Sequence, residues 1–450
     1  MRRTAAWGCV CLLLVGTAVA QDDAAPAEGE GTTEGQAEGE GEGEVEDLTE
    51  TAPANENPQP TLPVQRNELN RNQLGEDLSL PPAGSSLGEG IRLRPWLVFQ
   101  PSYRLAAFYD TNIFRQSWGN RDDDVEITNT LTGRLAATRE RWDAAISYSA
   151  IIRNYLDNSS LSTVDHLVQT SAGLRFNRVR FTLNGSAGLS SRPTDPQFNG
   201  GLQRRFTAQG NFATIVTITQ RIGARLEAQV QRIDFKSRQF DFFDQLGYGG
   251  AAFATYTPLG LPVSFLAGAG YRWLRYTDSA AVSPDIALAS GQGGISVFTA
   301  DQRLTFDLRA GYEVGRIVKR RNFPADRDAP EGIFVSAAGG WQPTQVTSIT
   351  LTFTRQITFS AQADTLILTR ADLSVTQGLP ANTSVFFRVG YGVQDNRQAP
   401  GRRTHDVTLG ATWDPLPWLS VGTQASYLGS QSRVLDYGVF RVGASITLRL

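Results

Sequence analysis

Residues 304–314 read LTFDLRAGYEV, and their side chains alternate strictly between two kinds. The even-numbered positions from Leu304 to Val314 are apolar or aromatic, whereas the odd-numbered positions carry Thr, Asp, Arg, Gly and Glu. Because successive side chains of a β-strand point to opposite faces, this period of two predicts a strand with one apolar and one polar face.

The same alternation recurs in segments of about ten residues from Ile91 to Leu450, for example in 385–393 (VFFRVGYGV), as in transmembrane barrels. Short connections rich in Pro, Gly and Asp alternate with long ones, which lie at 110–124, 156–166, 190–204, 234–245, 276–285, 316–331, 358–364, 394–403 and 429–436. This layout predicts an all-β protein, a transmembrane antiparallel up-and-down β-barrel of about 18 strands, with 16 and 20 as alternatives.

The last residues, 440–450, read FRVGASITLRL and keep the alternation to the end of the chain. A final strand of this kind resembles the signal that the outer-membrane barrel assembly machinery reads. We therefore predict that Gly443, Ile446, Leu448 and Leu450 form this signal. An even number of strands places both termini at the same end of a barrel, so both are predicted to be periplasmic.

The N-terminal segment has the pattern of a secretory signal peptide covering residues 1–20. Arg2 and Arg3 precede an apolar stretch, and Ala18-Val19-Ala20 provides the small residues that signal peptidase needs. Both cysteines of the chain, Cys9 and Cys11, lie within this segment. The predicted mature chain therefore has no cysteine, which excludes disulfides, thiol catalysis and cysteine-based zinc sites.

Residues 21–90 differ in composition from the rest and are rich in Glu, Gly, Pro and Asn. Residues 1–90 hold 17 acidic and 4 basic residues, which leaves 28 acidic and 38 basic residues for 91–450. High charge with little to bury predicts a disordered acidic linker ahead of a basic barrel formed by 91–450. A solvated linker without a partner and a periplasmic tether near the pore mouth are both compatible with this composition.

Arginine is the recurrent charged residue on the polar faces of the predicted strands, where carboxylates are fewer, chiefly Glu227, Asp307, Glu313 and Asp372. Guanidinium groups around a pore favour anions and donate in forks to carboxylates, phosphates and sugar hydroxyls. The alternative is a lattice of ion pairs that stiffens the wall. The predicted lumen-lining residues are Arg104, Arg134, Arg153, Arg175, Arg180, Arg225, Arg272, Arg309, Arg370 and Arg388.

Two histidines, His166 and His405, are the only candidates for catalysis, each beside an aspartate, Asp165 or Asp406. Both histidines lie on or beside the apolar face of their strands, which favours a structural role, and sequence neighbours do not define triad geometry. Acidic runs at 122–124 and 326–328 could bind Ca²⁺, but solvated loop charge is the preferred explanation. No enzyme activity, metal, cofactor or nucleic-acid site is predicted.

The opening strand carries a resemblance to a known family. It runs from Arg94-Pro95-Trp96 through Pro101-Ser102-Tyr103-Arg104-Leu105 to Tyr109-Asp110-Thr111-Asn112-Ile113-Phe114. This stretch resembles the start of an outer-membrane β-barrel porin family (β-barrel porin 2 type), whose members are associated with exopolysaccharide clusters. The resemblance implies a pore and no catalytic residues, and the long acidic segment departs from the family pattern.

Together these features predict an outer-membrane pore for the export or surface handling of an anionic exopolysaccharide. Two alternatives are a general or anion-preferring diffusion porin and a structural or adhesive barrel without an open channel. The predicted partners are outer-membrane lipid and lipopolysaccharide, the barrel assembly machinery, and a polysaccharide or anionic solute.

Overall fold

The structure is a computed structural model that describes residues 90–114, 122–193, 202–236, 244–258, 261–276, 285–299, 303–318, 331–359, 365–396, 401–431 and 436–450. The predicted signal peptide, the predicted acidic linker up to residue 89 and the acidic run at 326–328 lie outside these ranges.

Nineteen β-strands account for almost all of the described residues. They are β1 (Ile91–Arg94), β2 (Leu97–Asp110), β3 (Asp124–Arg139), β4 (Trp142–Tyr155), β5 (Thr163–Arg175), β6 (Val179–Pro193), β7 (Leu202–Thr217), β8 (Ile222–Phe235), β9 (Gln245–Tyr256), β10 (Val263–Tyr276), β11 (Asp285–Phe298), β12 (Leu304–Val318), β13 (Glu331–Trp341), β14 (Thr347–Phe359), β15 (Thr365–Leu379), β16 (Thr383–Asn396), β17 (Arg402–Leu416), β18 (Leu419–Gln431) and β19 (Tyr437–Arg449). A short 3₁₀ helix, Ser159–Leu161, lies between β4 and β5. None of the described helices is long and apolar enough to cross a membrane.

Strands β2 to β19 form a closed antiparallel barrel in which each strand pairs with its neighbours along the chain. The ring closes between β19 and β2, where Arg449 lies opposite Ser102 and Arg441 lies opposite Asp110. The predicted count of eighteen strands and the up-and-down order are therefore confirmed. A barrel of this size is wide enough to enclose an aqueous channel.

The two ends of the barrel differ in their connections. The ring begins with Leu97 of β2 and ends with Arg449 of β19, and both residues lie at the end of the barrel that carries the short connections. We call this end the short-turn end. The opposite end carries the long connections and is called the long-loop end. At the short-turn end the rings of Trp96 and Trp142 pack edge to face, with centroids 6.1 Å apart. Aromatic residues at such positions are typical of a membrane interface.

The outer face of the wall is apolar and exposed. Residues such as Leu131, Leu183, Leu226 and Tyr312 are 46–53% exposed and alternate with polar positions on the other face. With the ring of strands closed and the exposed face apolar, the barrel has the architecture of a transmembrane β-barrel. We call the opposite face the lumen face.

The short strand β1 lies outside the ring and was not predicted. It pairs with the start of β2, with Ile91 opposite Phe99 and Arg94 opposite Leu97. Strand β19 pairs with the same edge of β2 only from Ser102 onward. Strand β1 therefore covers the part of that edge which β19 is too short to reach.

Candidate pore lining

All ten arginines that were predicted to line the lumen lie at lumen-face positions of their strands. Arg104 lies opposite Thr130, Arg134 opposite Ser147, and Arg180 opposite Arg175. Among the described residues, at least seven of them have a carboxylate partner, namely Arg153, Arg175, Arg225, Arg272, Arg309, Arg370 and Arg388. Their role in solute passage stays a prediction.

The register adds lumen-face charges that the sequence analysis did not include among the lumen-lining residues. Four arginines, Arg205, Arg402, Arg441 and Arg449, share this face with the predicted ten. Seven carboxylates accompany the four predicted ones, namely Asp110, Asp124, Glu126, Asp143, Asp165, Asp406 and Asp414. The described lumen face thus carries fourteen arginines and eleven carboxylates, and strict parity counting through the strand ends would have found them.

The first group of charges lies near the long-loop end of β3, β4, β5 and β19. Arg153 pairs with Asp165 and, at 3.4 Å between Nε and Oε1, with Glu126. Arg441 Nη2 lies 3.1 Å from the other carboxylate oxygen of Glu126, and its guanidinium carbon lies 4.2 Å from the ring centroid of Phe108. The group holds two arginines and two carboxylates, of which Glu126, Arg153 and Asp165 are buried and Arg441 is partly buried.

The second group spans β8, β10 and β12. Arg225 pairs with Glu227, Arg309 Nε donates to Asp307 Oδ1 at 3.0 Å, and Arg272 Nη2 lies 3.7 Å from Glu313 Oε2. Glycines on the intervening strands leave room for these side chains, since a Cβ at Gly294 would lie 3.1 Å from Arg309 Cγ. Charges in this group are again balanced, with three arginines and three carboxylates.

The third group, which we call the Gly390 network, lies across β15, β16 and β17. Arg370 donates to both oxygens of Asp372 at 2.7–3.1 Å and to Asp406 Oδ1 at 2.9 Å. Arg388 Nη2 donates to Asp372 Oδ1 at 3.3 Å. The side chains lie flat over Gly390, where an added Cβ would be 2.5 Å from Asp406 Oδ1. Such forked contacts fix the guanidinium planes against the wall.

Both sequence hypotheses about the arginines thus find support in the geometry. The three groups form the ion-pair lattice that was the alternative to anion preference, and their internal charges cancel. An excess of arginine persists over the described part of the lumen face, and it includes Arg134, whose side chain is exposed near the short-turn end.

Phenylalanines fill the lumen face between the charged groups, each lying over a glycine directly opposite on the neighbouring strand. The four pairs are Phe108 with Gly443, Phe253 with Gly268, Phe334 with Gly311, and Phe386 with Gly410. A Cβ at each of these glycines would lie within 2.5 Å of the ring. The aromatic ring covers the glycine backbone and compensates for the missing side chain. These glycines therefore make room for the rings.

On most strands the described lumen face is more buried toward the long-loop end than toward the short-turn end, where Ser420 and Arg449 are nevertheless buried. On β4, Ser149, Ile151 and Arg153 are buried, whereas Asp143 and Ser147 are only partly buried. At the long-loop end, residues of the connections pack together, as Ile113 and Phe114 do with Tyr155 and Leu161. The long-loop half of the interior is thus packed by protein, and the short-turn half is more accessible.

Asp124 anchors this packing. Its carboxylate accepts hydrogen bonds from the backbone N–H groups of Leu156, Asp157 and Asn158 at 2.9–3.1 Å, and from Asn158 Nδ2 at 3.1 Å. The acid at the start of β3 thus holds the connection after β4 and is already occupied by donors. Within the described residues, no group of three or more His, Cys, Asp or Glu side chains could hold a metal ion.

Both histidines lie on the outer, apolar face. His166 Nδ1 is 2.8 Å from the hydroxyl of Tyr148, and the His405 ring lies 5.6 Å from that of Tyr427. Asp165 and Asp406 lie on the lumen face, because adjacent residues of a strand point to opposite sides. The sequence neighbours that suggested a His–Asp site are therefore on opposite sides of the wall.

The predicted assembly signal lies on β19. Ile446, Leu448 and Leu450 are on the outer face and 40–70% exposed, whereas Gly443 lies on the lumen face beneath Phe108. Recognition of these residues by the assembly machinery stays a prediction.

No family model matches the sequence, and no curated protein matches it. Solved structures that resemble the fold include Pseudomonas aeruginosa OpdK with vanillate (11% identity, TM-score 0.43, covering 78% of this chain and 99% of that one). Others are P. aeruginosa OccK2 (OpdF) in complex with glucuronate (12%, 0.42, 78% and 98%) and Acinetobacter baumannii OccAB4 (8%, 0.43, 78% and 98%). At these values the similarity adds no argument to the strand pairing. The association with exopolysaccharide stays a prediction from the resemblance of the opening strand.

Proposed function

We propose that this protein is an outer-membrane channel for small acidic solutes. The observation that carries the proposal is the excess of arginines over carboxylates on the lumen face of an eighteen-stranded barrel, fourteen against eleven among the described residues. A positive lining attracts anions and raises their local concentration in the pore.

The burial of the lumen face favours small solutes over a polymer. Arg153, Asp165 and Leu167 are at most 8% exposed near the long-loop end, so a chain of sugars would have to displace packed side chains there. Small solutes need only a narrow path beside them. Export of an exopolysaccharide is therefore the less favoured candidate.

The orientation follows the usual arrangement of bacterial barrels, in which short turns face the periplasm and long loops face outward. We propose this orientation, with both termini in the periplasm and the N-terminal acidic segment extending there. The accessible half of the lumen then faces the periplasm, and the packed half faces the cell exterior.

Ion selectivity in a planar bilayer tests the proposal. A gradient of KCl across the membrane should give a reversal potential of the sign that anion permeation produces, and Arg134→Gln should shift it toward zero. Cation selectivity would contradict the proposal, and the absence of any conductance would favour a structural barrel instead.

A further inference from the structure

Strands β13 and β14 separate before they reach the long-loop end. Their pairing runs from Trp341 opposite Ile349 to Val335 opposite Arg355 and stops there. Beyond this point β13 continues to Glu331 along β12, and β14 continues to Phe359 along β15. Among the described residues, Glu331–Phe334 have no strand partner on the β14 side.

The end of β14 lies inside the barrel, behind β13. Ile357, at a position that alternation would direct outward, is only 1% exposed. A Cβ added at Gly332, a lumen-face residue, would lie 2.9 Å from Ile357 Cδ1. Ile357 therefore packs against the inner surface of β13.

An arginine of β10, four strands away along the ring, donates a hydrogen bond to the displaced end of β14. Arg272 Nη2 on β10 donates to the backbone carbonyl oxygen of Ile357 at 3.4 Å, and the same atom lies 3.7 Å from Glu313. In an uninterrupted sheet, β10 and β14 would be four strands apart, about 19 Å at the usual spacing. The hydrogen bond thus requires the end of β14 to cross into the lumen.

The gap lies at the depth of the membrane. Ile333 and Glu331 border it, and directly opposite them on β12 are Tyr312 and Val314, which are 46% and 50% exposed on the apolar outer face. Unpaired backbone does not face hydrocarbon unless it is buried in protein or borders a cavity. An interruption at this depth therefore points to a passage through the wall.

We infer that the β13–β14 junction is a lateral port, which admits an amphiphile with an apolar chain and an acidic head from the outer leaflet of the membrane into the lumen. Its outer side presents Ile333, 59% exposed, and its inner side is formed by Phe334 and Ile357. Arg355 lies on the outer face at the last paired position and supplies a cation for the head group. In this structure Ile357 fills the port, and an entering chain displaces it.

This inference rests on the proposed membrane location but not on ion conductance. Its test uses Gly332→Cys combined with Ile357→Cys in the full-length protein. The added Cβ at position 332 would lie 3.7 Å from Ile357 Cγ1, the atom bonded to Cβ, so a disulfide is within geometric reach. Oxidation should then lock β14 against β13, and a reductant should release it.

The oxidised and reduced forms are reconstituted in vesicles containing phosphatidylglycerol with a diazirine on its acyl chain, illuminated, and mapped by mass spectrometry. Labelling of Phe334 should be several-fold higher in the reduced form. Phe108 is the internal control, since it also lies over a glycine of the lumen face but in a continuous part of the wall. It should stay unlabelled in both forms.

Two outcomes would overturn the inference. If the disulfide does not form although the Gly332→Cys and Ile357→Cys variants each fold on their own, the position of β14 inside β13 is refuted. Equal labelling of Phe334 in the two forms would refute passage of the amphiphile. Loss of ion conductance with the labelling difference retained would instead count against the channel proposal alone.

Discussion

Strands β4 and β5 are joined by two arginine–carboxylate pairs, one near each end of the barrel. Near the short-turn end, Arg175 Nη2 lies 3.2 Å from Asp143 Oδ1, and the two side chains are 56% and 27% exposed. Near the long-loop end, Arg153 pairs with Asp165, and these side chains are 10% and 4% exposed. The same chemistry on the same two strands thus occurs once in an accessible site and once in a packed one.

The difference shows that a lumen-face arginine is not by itself a sign of an aqueous pore. An exposed pair is solvated and screened by salt, so its arginine is available to a passing anion. A buried pair has lost its water and depends on its partners, so its main effect is on the stability of the barrel. Burial of the side chain therefore separates solute-facing arginines from structural ones.

The largest effect is expected from Arg153→Met. The change leaves Asp165 and Glu126 buried without their shared cation, which costs about 3–5 kcal/mol of the free energy of unfolding. Urea unfolding in lipid vesicles, followed by gel mobility of the folded barrel, measures this loss. The matched control is Arg175→Met, where removal of an exposed pair should cost about 0–1 kcal/mol. Equal losses for the two variants would remove the distinction between the two ends.

Asp124→Asn should have the next largest effect. The amide keeps the size of the side chain but removes the charge that strengthens three backbone hydrogen bonds, for an expected loss of about 1.5–3 kcal/mol. Hydrogen exchange at the amides of Leu156, Asp157 and Asn158 should become faster. Asp122→Asn, in the same connection, is the control and should leave these amides unchanged. Unchanged exchange in the Asp124 variant would show that the carboxylate is not the anchor of the packed end.

The alternation in the sequence was sufficient for the ring of strands and for the face that each residue occupies. It predicted the eighteen strands and placed His166 and His405 beside the apolar face. The sequence did not predict that the end of β14 lies inside the lumen. Ile357 keeps the alternation of an outward-facing residue, whereas tertiary packing moves the whole strand end inward. Strand β1 was missed because four residues give too short a pattern.

The sequence also did not predict how deeply the charged side chains of the lumen face are buried. The sequence suggested a His–Asp pair for Asp165 and did not indicate that Glu126 and Asp165 face the lumen. Burial of Arg153 depends on connections that are distant in the chain from β4. Periodicity reports the face of a strand, whereas burial along that face is set by residues from other strands and loops.

Gly390→Ala should have a smaller effect than the two changes above. Gly390 lies near the middle of β16, between the two ends of the barrel. The new Cβ would lie 2.5 Å from Asp406 Oδ1 and 2.8 Å from Arg370 Nη2, so the network must shift, at a cost of about 1–2 kcal/mol. Gly291→Ala is the control, because nothing lies within 4 Å of its Cβ position. Denaturant unfolding compares the two. A Gly390 variant as stable as the control would mean that the network adapts freely, as an exposed one would.

The difference between the two ends of the lumen is tested most directly by the accessibility of two lumen-face positions on β4. Because both native cysteines precede the predicted cleavage site, Ser147→Cys and Ile151→Cys each introduce a single thiol into the mature chain. The reconstituted barrels are treated with a charged, membrane-impermeant thiol reagent present on both sides of the vesicle, and the rates of modification are compared. We predict fast modification at position 147 and strong protection at position 151, where the native isoleucine is 3% exposed. Equal and fast modification at both positions would contradict a lumen that is accessible at its short-turn half and packed at its long-loop half.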